Sequence, residues 1–234
     1  MDDGASSMTV ALRMLEQPSE QGITHVCCTP HVNDRVPPEA AVHFEQRLEE
    51  LKAAATGHGL NVELGLASEI MLGSDLQRVI SMSCGTYNGK GEYFLVEFPK
   101  ETPHEIILNV VKSARRWNKR PVVAHVERYS RVVTSPERPA ELKTAGAILT
   151  LDAGSLFGQF GGVIQKRAKA LMQLDAIDIL TSDAHDDADH GFCMKKGATI
   201  VASILGEARV NELVLENPRR VWNGEPWPDE STES

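Results

Sequence analysis

The chain has 234 residues, with 24 Lys and Arg against 33 Asp and Glu for a formal charge of −9, and it is 41% hydrophobic but only 5% aromatic. That length suits one α/β domain of the larger kind, while an acidic chain with no run of Lys or Arg lacks the electrostatic footprint of a nucleic-acid binder, and no apolar stretch nears the ~20 residues of a membrane span. The acidic opening MDDGASS is unlike a signal peptide, and four cysteines, two of them adjacent at Cys27 and Cys28, give neither a disulfide framework nor a C-x-x-C pair, so reduced core thiols in a cytoplasmic protein are expected.

Hydrophobic periodicity then predicts the elements in chain order. A helix over Thr9–Glu20 leads into a strand over Ile23–Thr29. A long helix over Pro38–His58, with its E-x-x-L-E-E-L-K-A-A-A pattern, is followed by a strand over Val62–Ala67. After them come a strand over Tyr93–Phe98, a helix over Pro103–Trp117, a strand over Pro121–His125 and a helix over Ser135–Thr144. The series closes with a strand over Ala147–Asp152, a helix over Gly162–Gln173, a strand over Ile177–Ser182, and helices over Lys195–Leu205 and Glu207–Glu216, the last ending at Asn217-Pro218. Long helical connections between short β-branched strands imply parallel crossovers, and so a parallel sheet or barrel. The tail from Gly224, rich in Pro, Glu and Ser, reads as loose, which leaves residues 1–223 as one domain.

In such folds chemistry sits at the carboxyl ends of the strands. Here nearly every strand delivers a potential metal ligand to that rim: His31 after Thr29-Pro30, Glu69 after Ser68, Glu97 in FLVEF, His125, Asp152, and the pair in Asp183-Ala184-His185. Imidazoles and carboxylates sharing one rim would form a polynuclear divalent-metal site. Taken singly, each has an ordinary explanation: His31 as a loop residue, Glu69 as a helix-start acid, Asp183 as a group orienting His185. His25, His43, His58 and His104 have no partner pattern and are assigned to core or solvent.

Other phosphate and nucleophile signatures are absent by count. There is no G-x-x-x-x-G-K-[ST] and no G-x-G-x-x-G after a strand, and Gly154-Ser155-Leu156-Phe157-Gly158 has the wrong spacing for a serine elbow. The C-x5-R loop of cysteine phosphatases fails as well, because Asn33, Asp34, Lys90 and Thr199 stand where the arginine is required. Arg128, three residues beyond His125, suits a phosphate oxyanion beside a metal cluster; its alternative is a surface ion pair with Glu127 or a neighbour.

The series Asp2-Asp3-Gly4-Ala5, Gly22-Ile23-Thr24-His25-Val26 with Thr29-Pro30-His31, Ser68-Glu69-Ile70, Val96-Glu97-Phe98, Ala124-His125-Val126-Glu127-Arg128-Tyr129, Asp152-Ala153-Gly154-Ser155 and Ser182-Asp183-Ala184-His185 resembles, in order, the bacterial PHP-domain (polymerase and histidinol phosphatase) protein-tyrosine phosphatases of capsular and extracellular polysaccharide synthesis. The resemblance implies a distorted seven-stranded (β/α) barrel and a metal centre that hydrolyses phosphotyrosine through in-line attack by an activated water, with no covalent enzyme intermediate. The metal would commonly be Mn2+, with Fe, Mg, Zn or Co as other candidates. It implies Glu69, Glu97 and His125 on one metal, Asp3, His31 and His185 on a second, and Glu69 with Asp183 on a third, with Arg128 binding phosphate. The implied partner is a phosphotyrosine protein such as a tyrosine kinase of the polysaccharide machinery; a small phosphomonoester substrate, or a non-catalytic relic that binds partners, are the alternatives.

Three departures from the family pattern carry expectations of their own. The family's His-x-His, on a first strand ahead of the D-D-G, has no counterpart before Asp2, so the first strand is missing here and two to three ions per chain are expected with the third held weakly; either coding sequence upstream of Met1 supplies the pair or the strand has been lost naturally. His190, in Asp186-Asp187-Ala188-Asp189-His190, stands where family members often carry a second arginine, and is a candidate donor to the phosphoryl or leaving group. Asp152 replaces the asparagine of the usual N-A-G-S.

Overall fold

A computed structural model describes residues 3–73 and 75–228. All six expected strand regions appear, and every pairing among them is parallel. The first region is split into β1 (His25–Cys28) and β2 (His31–Val32), and the second into β3 (Glu63–Leu66) and β4 (Glu69–Met71). Each pair behaves as one interrupted strand. The register His25↔Glu63 continues unchanged as His31↔Glu69, and across the breaks Ala67 N donates to Cys28 O and Glu69 N to Pro30 O, both at 3.0 Å. His31 and Glu69, expected in loops after their strands, are thus paired strand residues: the kink at Thr29-Pro30 interrupts the ladder without ending it.

The remaining strands are β5 (Tyr93–Glu97), β6 (Arg120–Val123), β7 (Ile148–Asp152) and β8 (Ile179–Thr181). Spatial order follows chain order from β1/β2 across to β8, with no reversal point. That is the winding of a barrel rather than of a doubly wound sheet, because successive right-handed crossovers keep stepping in one direction. Between the two outer edges lies α1 (Met8–Gln21). Its Gln17 and Gln21 side chains hold the main chain that follows β8: Gln17 accepts from Phe192 N (2.8 Å) and donates to Asp187 O (3.0 Å), and Gln21 donates to Phe192 O (2.8 Å) and accepts from Lys195 N (3.1 Å).

The other helices are α2 (Ala40–Gly57), α3 (Leu76–Ile80), α4 (His104–Arg116), α5 (Glu137–Thr144), α6 (Gly162–Gln173), α7 (Met194–Leu205) and α8 (Glu207–Asn211). The short α3 carries too little periodicity to be expected. The helix expected to stop at Asn217-Pro218 instead continues through a π-helical turn at Glu212–Glu216 into α9 (Asn217–Asn223). Pro218 falls in the first turn of α9, where the missing N–H has no partner to lose, and the wider turn before it relieves the ring clash.

Strand alternation separates two layers. Phe94, Val96 and Phe98 face the helices, packing with Ile107, Val111, Leu149 and Leu151. Tyr93, Leu95, Val122, Ala124, Ile148 and Ile179 face the interior, where Val221 and Trp227 join them. The segment from 224 was expected to be loose, but as far as residue 228 it is packed. Trp227 is buried with Arg120 over its ring at 5.9 Å, and Tyr93 Oη donates to Glu225 O at 2.5 Å. Trp222 seats against Gly65, where a Cβ would lie 2.7 Å from its ring. Aromatic anchors outweigh the polar composition of this stretch; residues 229–234 of the expected tail lie outside the described residues.

Candidate metal centre

The same alternation that fills the interior with apolar side chains puts polar ones on its upper rim. Glu97 follows Tyr93 and Leu95 on one face of β5, and Asp152 follows Ile148 and Thr150 on β7. On the neighbouring strands the register sets His31 opposite Glu69 and Met71 opposite Glu97, which brings three ligand-type side chains from adjacent strands together. His125 joins them from a turn. It leaves β6 with φ of +29°, an unusual conformation for a non-glycine residue, with its N–H anchored on Thr150 Oγ1 at 3.0 Å. Asp183, just past β8, is likewise left-handed at φ +48°. Strained backbone at two ligand-type residues is the pattern of a site where side-chain direction matters more than local comfort.

Imidazoles and carboxylates converge. His125 Nε2 lies 3.3 Å from Glu69 Oε1 and 3.4 Å from Glu97 Oε1, and His31 Nε2 lies 3.5 Å from Glu69 Oε2 and 3.8 Å from Glu97 Oε2. The other nitrogen of His31 is 3.2 Å from Asp3 Oδ1, which is 3.5 Å from His185 Nε2. Two of the implied ligand groups, Glu69–Glu97–His125 and Asp3–His31–His185, are therefore assembled, with His31 reaching into both. Asp183, implied beside Glu69, is engaged with Arg128. Asp3 is the outlying member, its side chain 65% exposed, and Asp2 lies outside the described residues.

The donor set fits a divalent cation. Glu69 Oε1 is buried without a hydrogen-bond partner among the described residues, and His125 Nε2 faces it at 3.3 Å. His31, Glu69 and Glu97 each offer an atom within 4.8 Å of the others, as do Asp183, His185 and His190. Burial raises the Glu97 pKa, with Glu69 adding to the shift against the pull of His125. Burial alone would lower that of His125, but the contact with Glu69 and the charges of Glu69 and Asp183 outweigh it and the pKa stands raised. The Glu97 shift is chiefly a cost of burial, while the His125 shift reflects the negative charge of Glu69 and Asp183 around it.

Beside this cluster Arg128 is no surface residue: its side chain is 17% exposed, and Nη2 donates to Asp152 Oδ2 at 2.8 Å and to Asp183 Oδ2 at 2.7 Å. With Nη2 spent on two carboxylates, the buried Nε has no hydrogen-bond partner among the described residues. Glu127, the expected surface partner, is instead fully buried and accepts from Ser155 Oγ (2.7 Å) and Asp152 N (3.2 Å). Burial, then Asp183 and Glu127, pushes Asp152 up to about 8. His190 stacks on His185 at 4.5 Å, 3.8 Å from Asp183 and 4.0 Å from Asp152, and burial followed by His185 lowers its pKa.

Asp152, expected on the rim, stands there as a partner of Arg128, whereas Phe160 is a neighbour absent from the sequence expectations. Asp152 shares the parity of Ile148 and Thr150, a signal that was available. Phe160 lies in a loop, its only mark the glycines on either side. The histidines assigned to core or solvent lie away from the rim: His104 pairs with Glu141 at 2.8 Å, His25 sits edge-on to Trp222, and His58 closes the end of α2 through Ala54 O. Burial also raises the cysteine thiols, Cys27 well above its usual value, Cys28 to about 11 and Cys193 to about 12, so none of these supplies a thiolate.

This arrangement can be set beside known proteins. The chain is 25% identical over 231 residues to the tyrosine-protein phosphatase CpsB of Streptococcus pneumoniae, covering 94% of this chain and 93% of the relative. It is 22% identical over 206 residues to the tyrosine-protein phosphatase YwqE of Bacillus subtilis, covering 88% and 81%. A chain from the crystal structures of YwqE and CpsB, described as metal-dependent tyrosine phosphatases, superposes with a TM-score of 0.86 at 23% identity, over 97% of this chain and 91% of that one, so the fold is shared. The family described as capsular polysaccharide synthesis, CpsB/CapC, matches residues 1–223. The chain belongs to the CpsB/CapC family of capsular polysaccharide synthesis.

Proposed function

We propose that residues 1–223 form a metal-dependent protein-tyrosine phosphatase that acts on a phosphotyrosine protein of polysaccharide synthesis, a tyrosine kinase of that machinery being the natural partner. The observation that carries this reading is the convergence of His31, Glu69, Glu97 and His125 on one space, with Arg128 beside them. These four residues would hold divalent cations, with Asp3, Asp183 and His185 as further donors. The mixed imidazole and carboxylate set favours Mn2+ among hard, oxygen-preferring ions that also accept nitrogen. When bound, such ions supply Lewis-acid polarisation of a phosphoryl oxygen and a water acidic enough to attack at neutral pH.

The chain's own residues do the rest. Arg128 is fixed by two carboxylates so that its Nε–H remains for a phosphoryl oxygen, in an orientation set before substrate arrives. His190 offers a second polar atom on that side, its buried Nε2 lacking a hydrogen-bond partner among the described residues. A tyrosyl leaving group with a pKa of about 10 needs little proton donation, so an uncharged imidazole suffices there. Among the described residues no helix is long and apolar enough to cross a membrane.

The test is an assay of chelator-stripped protein on p-nitrophenyl phosphate and on matched phosphotyrosine and phosphoserine peptides, with and without Mn2+. Activity restored by Mn2+ and confined to the aryl esters is expected. Hydrolysis that survives complete metal removal would overturn the reading.

A further inference from the structure

We propose that Phe160 is the wall of the site that selects an aromatic leaving group, an inference that rests on the phosphatase reading and adds a specificity residue to it. Phe160 lies between the turn at Ala153–Phe157 and α6, on the same rim as the ligand-type residues. Its ring is only partly buried, whereas Phe98 and Tyr129 below the site are sealed in the core. The Arg128 guanidinium lies 4.5 Å from the Phe160 centroid, and the His190 ring meets it edge-on at 5.1 Å. Phe160 therefore adjoins both groups assigned to the phosphoryl end of the substrate.

The loop that presents it is built rather than loose. Gly158 and Gly161 both adopt φ of +90°, turning the chain on either side of Gln159-Phe160. Gln159 N donates to Gly154 O at 3.2 Å and Gly161 N to Gly158 O at 3.0 Å. The Gln159 side chain donates to Asp189 O at 2.8 Å and packs so closely on Gly154 that a Cβ there would collide with it, tying this loop to the one that carries His190. An ester group attached through a single oxygen to a phosphoryl held by Arg128 comes within reach of this ring. A phenyl group gains an offset or edge contact with it that an alkyl group cannot match, worth roughly 3- to 10-fold in affinity.

The experiment measures calorimetric dissociation constants of phenylphosphonate and methylphosphonate for the Mn2+-loaded protein, in the wild type and in Phe160→Leu, Phe160→Trp and Phe160→Ala. Expected is a phenyl preference that drops roughly 3- to 10-fold in Phe160→Leu and Phe160→Ala and is restored in Phe160→Trp, with methylphosphonate affinity held within about twofold. Phe160→Leu keeps the apolar bulk and guards against misfolding of the alanine variant. Equal loss of both ligands would reduce Phe160 to a support for Arg128 and overturn the proposal, as would an unchanged phenyl preference. If the wild type binds neither phosphonate, the phosphatase reading itself fails and takes this one with it.

Discussion

The two halves of the rim solve the same electrostatic problem differently. Around His125, two carboxylates face two imidazoles at 3.3–3.8 Å, and one of the buried oxygens makes no hydrogen bond among the described residues. Around Arg128, two carboxylates share one guanidinium nitrogen at 2.7–2.8 Å in ordinary charge-assisted hydrogen bonds. The second half holds a fixed side-chain cation; the first faces imidazoles alone. The comparison teaches that rim charge is met in two ways, by a fixed guanidinium that still leaves Asp152 raised to about 8 on one side, and by imidazoles at longer range on the other.

The strongest way to break this contrast is Glu69→Gln. It should abolish tight Mn2+ binding and lower kcat/KM by roughly 10³-fold or more, while the Tm of the metal-free protein holds or rises because an uncompensated buried charge has gone. A fall in the metal-free Tm would show that Glu69 is held by the fold rather than kept for a cation. Arg128→Ala should act the other way round. We expect kcat/KM to fall about 10²-fold with metal content unchanged, and stability to fall by about 3 kcal/mol as Asp152 and Asp183 lose their partner. Loss of bound metal in a folded Arg128→Ala protein would merge the two halves into one network.

pH sharpens the comparison more gently. Asp152, pushed up to about 8, and Glu97, also raised, are held protonated in the metal-free fold at pH values where the unfolded chain has released its protons. His125 is raised as well, so its proton too is held more tightly when folded. Each contribution has the same sign: present below the unfolded pKa and lost as pH rises through the folded one. Metal-free Tm should therefore decline by a few degrees between about pH 5 and pH 8. Added Mn2+, which competes with those protons, should raise Tm more at pH 8 than at pH 5; the reverse order in a melting series would contradict the assignment. The smallest effect belongs to the thiols. Replacing Cys27, Cys28, Cys84 and Cys193 together by alanine should leave the Mn2+-dependent kcat/KM within about twofold, since hydrolysis by an activated water asks nothing of sulfur.

Much of the rim was legible because alternation in a parallel strand is a local property: once FLVEF and ILTLD are read as strands, Glu97 and Asp152 must share a face with the apolar residues two and four positions earlier. His31 and Glu69 were legible as rim residues but not as paired ones, because a Thr-Pro break looks like a strand end until the neighbouring strand shows that the register carries across it. Arg128 was placed next to the right residues with the wrong alternative partner. Nothing local in H-V-E-R-Y says that Glu127 turns inward to Ser155 while Arg128 reaches Asp183, fifty-five residues away in sequence. The φ of His125 was invisible for the same reason, since tertiary contacts hold a strained residue in place. Phe160 needed two distant loops to be brought together before its single aromatic ring meant anything.

The cover over the interior has a consequence for how the molecule is made. The inner layer of Tyr93, Leu95, Val122, Ala124, Ile148 and Ile179 is completed by Val221 and Trp227, and Trp222 sits in the notch left by Gly65. A nascent chain leaving the ribosome can pair its strands in order as they emerge, yet its innermost apolar surface stays open until these last aromatic residues are released. Folding is therefore sealed late, by residues that follow every strand in the chain. A stalled or prematurely terminated nascent chain would present that surface to chaperones or to its neighbours with every strand already translated.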